Sequence, residues 1–160
     1  MSTLTWTDAL VLDHGRMDRT HREFVDLVAD VEHALNDDPE LLPGRFASLL
    51  SHTEAHFAQE ERWMQQLGFA EGNCHAFQHQ HVLDVLREVQ RIIGTTGDAA
   101  IVRRLTAELG SWFVAHAQMM DAALAETMAQ HGLDAETGAV ARPPAPQAEL
   151  VTSCGSASCS

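Results

Sequence analysis

Two pairs of ligand-type residues, each four apart, lie between His52 and His81: His56-x-x-x-Glu60 and His75-x-x-x-His79. On an α-helix, at ~100° per residue, a spacing of four leaves two side chains about 40° apart and one turn above one another. An imidazole and a carboxylate so placed, or two imidazoles, can close on one metal ion or on two adjacent ones. A single HxxxH is weak evidence in a chain with ten histidines. Two pairs on consecutive helical segments, with a third pair outside the stretch, are much harder to attribute to chance.

The elements that must position these residues follow from apolar periodicity. Met17 to Asn36 reads as a helix, because Met17, His21, Phe24, Val28, Val31 and Leu35 alternate steps of four and three. DDPELLPGR breaks it, with Asp38 as a cap and Pro39 or Pro43 opening the next helix. That helix runs from about Arg45 to Leu67 with the stripe Phe46, Leu49, Thr53, His56, Glu60, Trp63 and Leu67, and Gly68 ends it. A third opens between Ala70 and Cys74 and runs to Ile93, carrying His75, His79, Val82, Leu86, Val89 and Ile93. GTTGD supplies a stop, a loop and the cap Asp98. The fourth helix reaches about His131 through Ile101, Leu105, Leu109, Trp112, His116, Met120, Leu124 and Met128. Four helices with short connections predict an all-α, up-down-up-down four-helix bundle over residues 1–134. Residues 1–16 read as an N-terminal arm packed on it through Trp6, Val11 and Leu12. From Ala135 the composition turns to Ala, Pro, Gly and Ser, which predicts a disordered C-terminal tail over 135–160.

Composition narrows the function classes. A formal net charge of −13, with ten arginines and no lysine, leaves no basic stripe for nucleic acid or an anionic membrane. No stretch approaches the ~20 apolar residues of a membrane span, and no signal peptide is read at the start. Cys74, Cys154 and Cys159 do not make a disulfide scaffold, so a cytoplasmic location is expected.

The polar residues on the apolar stripes are His21, His56, Glu60, His75, His79 and His116, with Asp121 beside Met120. Buried without partners they would cost roughly 1–3 kcal/mol each. Five imidazoles and two carboxylates are too many for one tetrahedral zinc. They suit two octahedral ions bridged by carboxylates, with one or two positions left for other ligands. Iron and manganese accept this mixed set, and the imidazole richness favours iron. One spacing resists helix geometry: five residues from His116 to Asp121 turn about 140°. A carboxylate approaching from the side and a local π-bulge would each reconcile it.

The segments GRMDRTH, HFAQEERWM, HAFQH and WFVAHAQMMD resemble the hemerythrin family, in particular its single-domain bacterial type, over roughly Trp6 to Met128. The resemblance implies two non-heme irons, one held by His75, His79 and His116 and the other by His21 and His56. Glu60 and Asp121 would bridge them together with a hydroxide or oxide. It further implies reversible binding of dioxygen at the two-histidine iron, for storage, delivery or sensing, with no protein acid or base and no catalytic residue. Phe113 and Met120 are candidate walls of the dioxygen pocket. The chain departs from the family pattern at Thr20 (commonly Gln), Phe69-Ala70 (aromatic-Pro), Phe113 (usually Leu) and Ala117 (aliphatic), none of them a ligand.

The remaining histidines read as bystanders. His14 lies before the first helix, His33 and His81 fall off the stripes, and His131 is too far along to share the site. His52, one turn before His56 and placed to support it, reads as exposed. Glu54, Glu61 and Asp37–Asp38 read as solvated charges, Cys74 as a small buried residue. Alternative functions for the same site are a di-iron peroxidase or nitric-oxide-handling enzyme, and an iron-handling repair protein. A ferritin-like ferroxidase is disfavoured because the chain contains no Glu-x-x-His.

Overall fold

The structure is a computed structural model and describes residues 2–145. Helix α1 spans Gly15–Asp37, α2 Leu42–Gln66, α3 Cys74–Thr95 and α4 Ala99–His116. The fourth rod does not stop at His116. A π-helical turn over Ala117–Asp121 joins it to α5, Ala122–His131. Consecutive helices pack on each other, and α4 closes the ring against α1. This is the predicted all-α four-helix bundle.

Local chemistry sets the ends. The Asp98 carboxylate accepts the Ala100 and Ile101 N–H groups and caps α4. Asn73 caps α3 by accepting from Ala76 N–H, a role the sequence reading did not assign. Asp38 precedes a short 3-10 turn at Pro39–Leu41 but makes no side-chain cap bond. Beyond α2, Gly68 takes φ +78, which lets the Phe69 N–H reach back to the Met64 carbonyl at 3.0 Å.

Of the contacts expected of the N-terminal arm, Trp6 and Leu12 pack against the bundle partly buried, Trp6 with Arg22 over its ring, while Val11 is exposed. Leu4 and Leu10 are the fully buried anchors. Leu10 ends a 3-10 turn, Asp8–Leu10, so the arm is not fully extended. Its start is tied down by the buried Glu32 carboxylate, which accepts from the Thr3 N–H at 3.0 Å and from the Thr3 hydroxyl. Gly110 allows the close approach: a Cβ there would stand 3.3 Å from the Leu4 Cβ.

Residues 135–145, assigned to the tail from composition, lie against the bundle. Leu133 and Val140 form an antiparallel bridge, and the Ala135 carbonyl accepts from the Trp63 indole and from Arg16. Arg142 donates to the Ala129 and Gln130 carbonyls, satisfying the last turn of α5. The tail cysteines Cys154 and Cys159 lie outside the described residues.

The interior divides into two apolar clusters. Phe24 on α1, Leu49 and Phe57 on α2, Val82 on α3 and Phe113 on α4 belong to one. Met17, Trp63, Cys74, Met120 and Leu124, on the same rods, belong to the other. On every rod the boundary between the clusters falls at the ligand-type residues.

Candidate metal centre

Each rod delivers its polar residues to that boundary from a helical face. α1 contributes His21; α2 contributes His56 and Glu60, one turn apart; α3 contributes His75 and His79. The fourth rod contributes His116 and Asp121. In the π-helical turn the extra residue absorbs the rotation that five α-helical positions would impose, so Asp121 comes round to the face of His116. Of the two arrangements open from sequence, the structure has the bulge. All seven side chains are buried.

The seven converge as two overlapping sets. Glu60, His75, His79, His116 and Asp121 form one group that could hold a metal ion, and His21, His56, Glu60 and Asp121 form another. Within each, the potential ligand atoms lie within 4.8 Å of one another. The two carboxylates belong to both, and each divides its oxygens between them. Glu60 Oε1 stands 3.3 Å from His56 Nε2 and 3.8 Å from His21 Nε2. Glu60 Oε2 stands 3.2 Å from His75 Nε2 and 3.3 Å from His79 Nε2. Asp121 Oδ2 faces His21 Nε2 at 3.2 Å, while Oδ1 faces His75 and His116 at 3.0 and 3.1 Å. This is the disposition of two bridging carboxylates between two cation positions.

Electrostatics fit a layer built for cations. None of the four carboxylate oxygens, and neither ring nitrogen of His21, makes a hydrogen bond among the described residues. Such orphaned buried groups are costly unless a cation completes them. Burial opposes ionisation of Glu60, yet the surrounding histidines, His56 first, hold its carboxyl well below the usual range. Asp121 is likewise held low against burial and against the charge of Glu60, chiefly by His116. Burial pushes His56 down to about 4 and also lowers His116. At His21 burial is outweighed by Asp121 and Glu60, and its pKa rises to about 9.

Several contacts support the ligands, some from the same helix and some from across the bundle. The Gln78 Oε1 lies 2.7 Å from His116 Nδ1. An amide oxygen can only accept, so this nitrogen carries the proton and Nε2 is left to face the site. Phe57 stacks on His79 at 3.8 Å and 4°, and Trp112 on His116 at 4.4 Å and 23°. Glu61, read as a solvated charge, places Oε1 3.4 Å from His79 Nδ1. His52, read as a bystander, is half-buried behind His56, its rings 6.4 Å apart, with Nε2 3.1 Å from the Thr20 carbonyl. The Thr20 hydroxyl itself bonds the Arg16 carbonyl and does not reach the site.

His33, His81 and His131 stay outside. His33 pairs with Asp37 at the surface, and His131 contacts the Arg142 carbonyl. His14 caps α1 by accepting from Met17 N–H, an element role that its position before the helix makes possible. The two candidate pocket walls take opposite sides. Phe113 stands edge-on to His21 at 5.2 Å, and Met120 lies in the cluster beyond the ligand layer.

The sequence model of the hemerythrin HHE cation binding domain matches residues 13–127. A bacteriohemerythrin of Ralstonia nicotianae is 36% identical over 141 residues, 88% of this chain and 100% of that protein. A bacteriohemerythrin of Methylococcus capsulatus is 25% identical over 123 residues, 76% of this chain and 93% of that one. No solved structure matches the chain.

Proposed function

Because the chain belongs to the hemerythrin family, we propose that it is a non-heme di-iron protein that binds dioxygen reversibly. The observation that carries this reading is the division of the Glu60 and Asp121 oxygens between two sets of imidazoles. His75, His79 and His116 would hold one iron, and His21 and His56 the other, with both carboxylates bridging. When bound, the iron pair supplies the electrons that dioxygen takes up on binding.

The protein's own residues orient and exclude. Gln78 fixes the tautomer of His116, and Phe57 and Trp112 clamp the planes of His79 and His116. The two-histidine side has fewer ligands, so an ion held there would have a coordination position left for a small molecule. Phe113 walls that side with an apolar edge against His21. Among the described residues no helix is long and apolar enough to cross a membrane.

Protein made in iron-replete cells should return about two iron per chain, as a di-iron carboxylate bundle requires, and no heme. An anaerobic dioxygen titration followed in the visible spectrum should then saturate and reverse on degassing. One zinc per chain would sink the di-iron reading. Irreversible bleaching with peroxide consumption would instead favour the peroxidase alternative.

A further inference from the structure

A cleft between α1 and α2 backs onto His56 and has no part in the reading above. Its volume is about 280 Å³, with Arg16, His52, Gln59 and Arg62 around it and His56 at its inner wall. Two arginines line it against one carboxylate, Glu23. In a chain of net charge −13 with ten arginines, two guanidinium groups converge here on one neutral atom. Arg62 Nη2 donates to Gln59 Oε1 at 2.9 Å, and Arg16 Nη2 approaches the same oxygen at 3.4 Å. Two like charges sharing one amide oxygen repel each other, and an anion between them would relieve the repulsion.

The counter-charges nearby are few. Glu23 faces His52 at 3.7 Å. Glu136, largely exposed, reaches in from the segment after α5 and pairs with Arg16 Nη1 at 2.6 Å. Arg62 makes no ion pair among the described residues.

We propose that this cleft binds a small inorganic oxyanion between Arg16 and Arg62, replacing the Glu136 carboxylate on Arg16. Planar guanidinium forks match the geometry of an oxyanion, and Arg16 and Arg62 offer two of them from adjacent helices. Glu136 is then an internal competitor that the ligand displaces. Neither arginine belongs to the ligand set, although His56 borders both the cleft and the layer.

The test is calorimetric titration of the full-length protein with inorganic phosphate at constant ionic strength. Wild type should show one saturable site. Arg62→Gln should weaken it by about tenfold, the equivalent of one charge-assisted hydrogen bond. Glu136→Gln should tighten it by about threefold, as expected for loss of an exposed competing ion pair. Arg91→Gln, remote on α3 and paired with Glu88, should leave it unchanged. Non-saturating heats, equal effects of Arg62→Gln and Arg91→Gln, or no tightening with Glu136→Gln would each overturn the proposal. An anion bound to the metal ions instead would respond to neither Arg62 nor Glu136.

Discussion

Phe113 is where packing and chemistry meet in one side chain. It is 2% exposed, lies 4.6 Å from Phe24 and meets His21 edge-on. Truncation to alanine should therefore cost about 3–5 kcal/mol of stability, which would obscure any effect on ligand kinetics. Phe113→Leu is the cleaner probe, since a swap that stays apolar and close in volume usually costs under about 1.5 kcal/mol. It should hasten dioxygen release at unchanged iron content, because a narrower side chain opens the wall beside His21. Stopped-flow release rates identical to wild type would show that Phe113 packs without gating.

His14 carries a different residue-scale consequence. Its Nδ1 accepts the Met17 N–H, so the cap needs the neutral ring. Partial burial lowers its pKa below the usual 6.5, against the raising pull of its backbone contact, Asp18 and Glu60 and with a further lowering by His21. A histidine with a depressed folded pKa contributes stability above its unfolded value, and that contribution is lost as pH falls through the folded one. Asn caps as well without titrating. The loss of stability between pH 7.5 and pH 5 should accordingly be smaller in His14→Asn than in wild type. Parallel denaturation curves at the two pH values would refute this if the gaps were equal.

At the scale of elements, what the sequence discloses depends on whether a relation is periodic. His56 and Glu60, or His75 and His79, share a face by helix geometry alone, so their placement is legible four residues at a time. The break from α-helical register between His116 and Asp121 is legible only as a conflict, and the π-helical turn resolves it. Gln78 and Phe57 act across helices, where no spacing rule reaches. The segment after α5 is the clearest case. Its composition reads as a tail, yet Ala135 receives the Trp63 indole and Arg142 satisfies the end of α5. Its apolar residues are small and show no period, and Ala135 and Val140 pack on the bundle beside the carbonyl and arginine contacts. Ending the chain after residue 134 should thus cost about 1–3 kcal/mol, from lost capping and a buried donor left unpaired. A truncation after residue 145 keeps this segment and is the reference for that loss. Equal melting of the two truncations would mean that this segment contributes nothing to the bundle.

At the scale of the whole molecule, the bundle is two apolar clusters separated by a polar layer. A layer of that kind is a poor way to stabilise a fold and a good way to hold cations. Glu60 and Asp121 bring two carboxylates into it, and their four oxygens have no hydrogen bond among the described residues. Without metal, desolvation and their mutual repulsion are offset by the surrounding histidines, which hold both carboxyls ionised. With metal, the same groups become ligands, and binding free energy adds to folding free energy. Asp121→Asn should cost more stability with metal than without. It keeps the shape of the side chain and removes one of the two negative charges. In chelator-treated protein the variant loses the ionised partner of His21, His75 and His116 and should unfold at a modestly lower denaturant midpoint. In metal-loaded protein the gap to wild type should widen. Linkage gives about 2.7 kcal/mol when free metal stands a hundredfold above its dissociation constant, and the variant forfeits part of this. The two pairs of denaturation curves decide between this account and an ordinary structural aspartate. If Asp121→Asn is destabilising to the same degree with and without metal, the carboxylate serves the fold itself and the layer is not organised around cations.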